Sequence, residues 1–159
     1  MLDSPAYRTA LDNQTEWSKA NIARFKNMIR AVARITISRG SGRGAALGLV
    51  RIRPAADAGE APRAKLQNML APSEFDGIIS MHLIESDPTL SKPLGTNTAT
   101  SAAGAGDWYV LIDGTDVSAI AAAIADRFSG DAAFTPAMRV ASGIYRLMWD
   151  LTKQDIAGI

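Results

Sequence analysis

Apolar and polar positions alternate along this chain with two different periods, and the switches between them mark out its elements. Ser4-Pro5 offers an N-cap followed by proline at a first helical position, which reads as helix over residues 4–32. Asn13 and Thr15-Glu16 suggest a break or a second cap inside that span. After it, Trp17, Ile22, Phe25, Met28 and Ile29 recur at helical spacing and make one apolar stripe. Residues 32–38, VARITIS, switch to β-branched alternation and read as strand. LGLVRIRP is a second strand ending at Pro54, and residues 58–72 suit a helix with Leu66, Met69 and Leu70 on one side. GIISMHLIES (77–86) and DWYVLIDG (107–114) are strands, separated by a long Pro-, Gly-, Ser- and Thr-rich loop. Loops of that length commonly act as lids or lack structure. The alanine-rich VSAIAAAIADRF favours helix, capped by Asp116. GDAAFTPAM is a linker, and SGIYRLMWDLT (142–152) is the last strand.

From residue 46 the order is therefore β-α-β-β-α-β, which predicts a four-stranded antiparallel sheet with both helices on one face. The strands are apolar on both parities: Leu47 and Leu49 against Val50 and Ile52, Trp108 and Val110 against Tyr109 and Leu111. A sheet with one solvated face would alternate more cleanly. Something must cover the second face, and a second copy of the sheet is the simplest cover. A homodimer is expected.

The run RITISRGSGRGAALGLVRI (34–52) contains Gly40-Ser41-Gly42-Arg43-Gly44-Ala45, which satisfies the letter of a dinucleotide-binding fingerprint. That fingerprint needs strand, glycine turn and then helix, because the pyrophosphate rests on the helix N-terminus. Here a strand follows, and the Gly-Lys-Ser/Thr of a P-loop is missing. The loop reads as a connector between strands, its glycines supplying positive φ.

Length and composition add bounds. At 159 residues, 47% hydrophobic and 21% charged, the chain fits one globular domain or a domain with an extension. No apolar run approaches the roughly 18 residues of a membrane span, and MLDSPAYRTALDN lacks the layout of a secretory signal. A cytoplasmic protein with no membrane partner is the expectation. The absence of cysteine excludes disulfides, thiol catalysis and cysteine-ligated metals, and one histidine excludes a histidine-rich metal site. No metal is expected.

Net charge is +1, but it is unevenly spread. Residues 18–56 hold Lys19, Arg24, Lys26, Arg30, Arg34, Arg39, Arg43, Arg51 and Arg53 with no acid, whereas the C-terminal half is acidic. Such asymmetry marks a solvated face, two surfaces that meet, or nucleic-acid binding. RNA-recognition domains share the βαββαβ order and stack bases on aromatics of the third strand. In DWYVLIDG, however, Asp107 stands where a basic residue helps and the run ends in Asp113. A nucleic-acid partner is disfavoured.

Over residues 46–152 this order of elements resembles the dimeric α/β-barrel superfamily of ferredoxin-like domains. Its members include antibiotic-biosynthesis-type monooxygenases, haem-degrading enzymes, small lactone isomerases, polyketide-type cyclases and ethyl tert-butyl ether degradation-type proteins. The stretch LDSPAYRTALDNQTEWSKANIARFKNMIRAVARIT resembles the closing helix and strand of a preceding, similar domain. The chain is thus similar to a tandem-repeat member lacking its leading strand-helix-strand part, with a helix-strand arm at 1–44 and a ferredoxin-like α+β domain at 45–159. The resemblance implies a pocket on the open sheet face for a small organic molecule, aromatic and polyketide-like compounds included. It leaves open whether the protein is an enzyme of the monooxygenase, isomerase or cyclase type, or a non-catalytic domain that binds a ligand or dimerises.

Within that frame His82, the only histidine, is the candidate general base, and with Tyr109 or Tyr145 it would form an acid/base pair resembling the superfamily's cyclases. The plain alternative is a satisfied strand histidine. Arg51 and Arg146 lie on strands that would be neighbours, where two guanidinium groups could clamp a carboxylate or phenolate. Otherwise they pair with Glu85, Asp113 or Asp150. Trp108 and Trp149 supply sheet packing in the plain reading and line the substrate pocket in the functional one. Haem enters only through His82 and the resemblance; no Asn-plus-His arrangement matches the haem-degrading members, so no cofactor is expected.

Overall fold

The computed structural model describes residues 4–26, 29, 31–55, 60–91, 106–129 and 139–149. The elements run α1 (Pro5–Asp12), α2 (Glu16–Ile22), β1 (Ala33–Gly40), β2 (Ala46–Ile52), α3 (Ala61–Met69), β3 (Ile78–Ser86), β4 (Trp108–Gly114), α4 (Val117–Ala123) and β5 (Arg139–Arg146). The five strands form one antiparallel sheet in the order β1-β3-β4-β2-β5. This α+β arrangement is compatible with a ferredoxin-like fold. β1 belongs to the same sheet, pairing along the outer edge of β3.

The alternation of β2 decides which face is the core. Ala46, Val50 and Ile52 are buried and point with Met81, Leu83, Val110 and Ile112 toward one side. There they meet Leu66, Met69 and Leu70 of α3 and its end, and Ile120, Ala123, Ile124 and Phe128 of α4 and the wide turn that extends it. Asp116 starts α4 as read from the sequence: its carboxylate accepts from the Ser118 and Ala119 amides at 2.8 and 3.0 Å. Those bonds hold its pKa down at about 2. α3 is tied to the sheet by Arg63, which donates to Glu85 of β3 at 2.9 and 2.5 Å and lies over the Trp108 ring.

Most element boundaries shift by a few residues from the sequence reading, and the larger differences lie in the N-terminal helix and β5. The long N-terminal helix breaks at Thr15, as expected, but α2 stops at Ile22 and its last turn tightens into three-residue spacing through Arg24 and Phe25. Trp17, Ile22 and Phe25 stay exposed, so no tertiary burial supports the stripe, and short helices without such support are marginal. Met28 lies outside the described residues. β5 begins at Arg139 and ends at Arg146 rather than spanning 142–152, because its partner β2 starts at Ala46, opposite Arg146. Beyond that pair Leu147 donates across, to the Ala45 carbonyl. The expected linker 130–138 and most of the loop after β3 also lie outside the described residues.

The glycine-rich loop joins β1 to β2, as a connector should, yet the two strands are not neighbours. Two strands separate them, a gap of about 14 Å at the usual inter-strand spacing. The five residues 41–45 cross it along the end of the sheet, where the Gly42 carbonyl accepts from Ser80 of β3. Gly40 and Gly42 adopt φ of 74° and 112°, conformations that side-chain-bearing residues resist. No helix follows the loop, which removes the dinucleotide reading.

Seating α4 on the sheet depends on Gly48 in mid-strand. A Cβ there would lie 2.6 Å from Ile120 Cγ2 and 3.2 Å from Ile124 Cδ1. Gly48→Ala is expected to destabilise the fold by about 1–3 kcal/mol through overpacking, read as a lower urea midpoint with an unchanged slope.

Candidate functional site

The face of the sheet opposite the helices is only partly covered. Its residues come in register: Ser38, His82, Leu111, Leu49 and Gly143; Ile84, Tyr109, Arg51 and Ala141; Ser80, Asp113, Leu47 and Tyr145. A cavity of about 420 Å³ opens on this face. Leu49, Leu111, Ile84 and Gly143 form its apolar floor, Tyr109, Arg51 and Tyr145 supply polar edges, and Ile29, Ala31 and Ala33 form a wall. The wall is held in place by the turn after β3. Ser91, itself buried, bonds both the amide and the carbonyl of Val32, and the Asp87 amide donates to the same carbonyl at 2.8 Å.

At one end of the cavity sits a buried carboxylate. Asp107 is 1% exposed and takes Arg51 Nε on Oδ2 at 2.5 Å and Arg53 Nε on Oδ1 at 2.8 Å. Burial works against its charge, but the hydrogen bonds from Arg53 and Arg51 outweigh that and hold its pKa below the ordinary aspartate range. Two guanidinium groups against one carboxylate leave this end of the face net positive. Next to it the Tyr109 hydroxyl is buried and has no hydrogen-bond partner among the described residues. Burial pushes the phenol pKa up, with the Arg51 charge pulling the other way, so the group is a protonated donor at neutral pH.

At the other end lies a chain of polar groups. Ser38 Oγ is 2.9 Å from His82 Nδ1, His82 Nε2 is 3.1 Å from Ser80 Oγ, and Ser80 Oγ is 3.3 Å from Asp113 Oδ2. Both ring nitrogens of His82 thus have a hydroxyl within hydrogen-bond distance. A haem iron would have to displace one serine from it.

Of the residues singled out in the sequence, Arg51, Tyr109 and Tyr145 come together at the cavity. His82 lies in the row of Leu111, Leu49 and Gly143, beside the cavity and outside its lining. Three strand spacings, about 14 Å, separate its strand from that of Tyr145, which leaves Tyr109 as the nearer of the two proposed partners. The other three lie elsewhere. Arg146 pairs with Ala46, so it sits at the far end of β2 from Arg51 and on the helix-covered side; the two guanidinium groups do not converge. Trp108 pairs with Ile52 and packs against the helix-side core. Trp149 lies beyond the end of β5, 74% exposed. Arg51 pairs with Asp107 rather than with Glu85 or Asp113, and Asp150 lies outside the described residues.

Asp107, Ser38 and Ser80 were not foreseen as site residues. The alternation Asp107, Tyr109, Leu111, Asp113 already places both aspartates on the face of Tyr109. The serines carry no comparable signal, since only the pairing of β1 with β3 brings Ser38 to His82. No protein-family model matches the chain, and no curated protein matches it.

Asp107→Asn would leave Arg51, 12% exposed, without its counter-charge, and is expected to cost roughly 3 kcal/mol. Because the folded pKa lies below the unfolded value, the native pairing stabilises above about pH 4 and is lost as pH falls through the lowered value. Urea denaturation between pH 2 and 7 should therefore show a shallower acid loss in the variant than in the native chain.

Proposed function

We propose that this protein is a ferredoxin-like domain that binds a small organic molecule in the open-face cavity and pairs with a second copy over that face. The strand order β5-β2-β4-β3, with helices on one side, supports the fold reading. Exposed Ile35 and Tyr145 beside half-buried Leu47 and Leu49 support a cover over the open face. The observation that carries the binding reading is the cavity itself. It is a mainly apolar hollow of about 420 Å³, within the range of small-molecule sites, with a buried phenol donor that lacks a partner among the described residues. An unpaired buried donor costs about 1–3 kcal/mol, a cost that a ligand acceptor would relieve. The chemistry fits a flat or compact apolar body carrying a carbonyl or carboxylate: Tyr109 would donate to the oxygen, and the surplus positive charge of Arg51 and Arg53 would favour an anion.

Two measurements test this reading. Native mass spectrometry of the freshly purified protein is expected to show a dimer, with a retained small molecule where one survives purification; a monomer would remove the pairing. In titration calorimetry 2-naphthoate should bind, with about tenfold loss in Tyr109→Phe and no binding in Leu49→Trp, which fills the floor. Equal binding by all three proteins would overturn the cavity as the site.

A further inference from the structure

The polar chain at the other end of the open face has a direction. Ser80 is fully buried, and its single hydroxyl hydrogen is within reach of two groups that only accept: the Gly42 carbonyl at 3.2 Å and the Asp113 carboxylate at 3.3 Å. If that hydrogen turned to His82 instead, the serine oxygen would face both acceptors lone pair to lone pair. The hydrogen therefore goes to one of them, and Ser80 Oγ accepts from His82 Nε2–H. That assignment leaves Nδ1 as the bare nitrogen, and it lies 2.9 Å from Ser38 Oγ. Ser38 donates to it.

Ser38 is exposed and stands on β1, the outer strand of the sheet, where a substrate can approach from the side. A serine hydroxyl donating to an imidazole whose other nitrogen is fixed by a second hydroxyl, itself beside a carboxylate, is the arrangement that activates a nucleophile. We propose that Ser38 is a nucleophile with His82 as its general base, Ser80 and Asp113 fixing the ring, and that it accepts acyl groups from small activated esters.

In the forward step Ser38 Oγ bonds to the acyl carbon and its proton passes to His82 Nδ1. The carbon–alkoxide bond breaks, and the leaving oxygen takes that proton away as the alcohol. Water then gives its proton to His82, adds to the acyl carbon and releases the carboxylic acid, and the Ser38 oxygen recovers the proton. In the charged interval the imidazolium keeps its Nε2–H on Ser80, with the Asp113 carboxylate one hydroxyl away. No redox partner or metal is needed for the balance. This site uses none of the cavity's polar groups, so it can fail while the binding reading stands.

A fluorophosphonate probe tests the proposal directly, because Ser38 Oγ would displace fluoride from phosphorus and gain a fixed mass. Peptide mapping should place the label on Ser38, at least 100-fold faster than on exposed Ser73. Ser38→Ala should lose it, and His82→Ala should slow it about 100-fold or more, the scale of general-base assistance. Added imidazole should restore part of the His82→Ala rate, a rescue that a merely structural histidine would not allow. Ser80→Ala should lower the rate about tenfold and Ser80→Thr should recover it. Circular dichroism checks that each variant is folded. Labelling of Ser38 no faster than Ser73, or unchanged in folded His82→Ala, would overturn the proposal.

Discussion

The approach of α4 to the middle of β2 is the constraint on which the other features depend. Gly48 has no side chain, so Ile120 and Ile124 can lie directly on the backbone of a central strand. With α3 beside it, this arrangement fills one face of the sheet with Val50, Ile52, Met81, Leu83, Val110 and Ile112, all fully buried. Interiors packed to that density admit no polar group without a partner. The central rows of that face are therefore apolar, with Glu85 near the end of β3 paired to Arg63, while Arg51, His82, Tyr109 and Asp113 stand on the opposite face. The site is on the open face because the helices have closed the other.

On that open face β4 sets the layout. Asp107, Tyr109, Leu111 and Asp113 alternate along it, charge at both ends and an apolar residue near the middle. Each end recruits its own neighbours: Asp107 draws Arg51 and Arg53, and Asp113 lies beside Ser80. The basic run of the N-terminal half loses two of its cations to this pairing, which reduces what it could offer to phosphates. What reads in the sequence as a charge asymmetry is in part an internal ion pair across 54 to 56 residues.

Much of this was legible beforehand and some was not. The alternation of β2, β3 and β4 and the Asp116 cap are local signals, and they gave the elements, the antiparallel sheet and the one-sided helices. Arg51 and Tyr109 were named for their residue type and their strands, and both line the cavity. Arg146 and Trp149 were misplaced because β5 was read as running past its partner's end, and the sequence of an edge strand does not reveal where pairing stops. Trp108 went to the wrong face because an apolar strand on both parities hides which side the helices take. Ser38 was invisible: its meaning comes only from the pairing of β1 with β3, a contact 44 residues away in sequence.

The two polar ends differ in kind, and the difference follows from the groups they hold. Around Asp107 two guanidinium groups share one carboxylate, and such a cluster holds shape and a net positive field. The Ser80 end is built of hydroxyls and one imidazole, groups that both donate and accept, so a proton can move along it without a charge being stranded. Between the ends, Leu111, Leu49 and Ile84 keep the floor apolar. A molecule resting on that floor with its acceptor toward Tyr109 would extend along β4 toward the row that His82 shares with Leu111 and Leu49. On the two proposed readings, the Tyr109 donor and His82 are offset by two residues along the strand and one strand across, about 8 Å, a span that one small substrate can bridge.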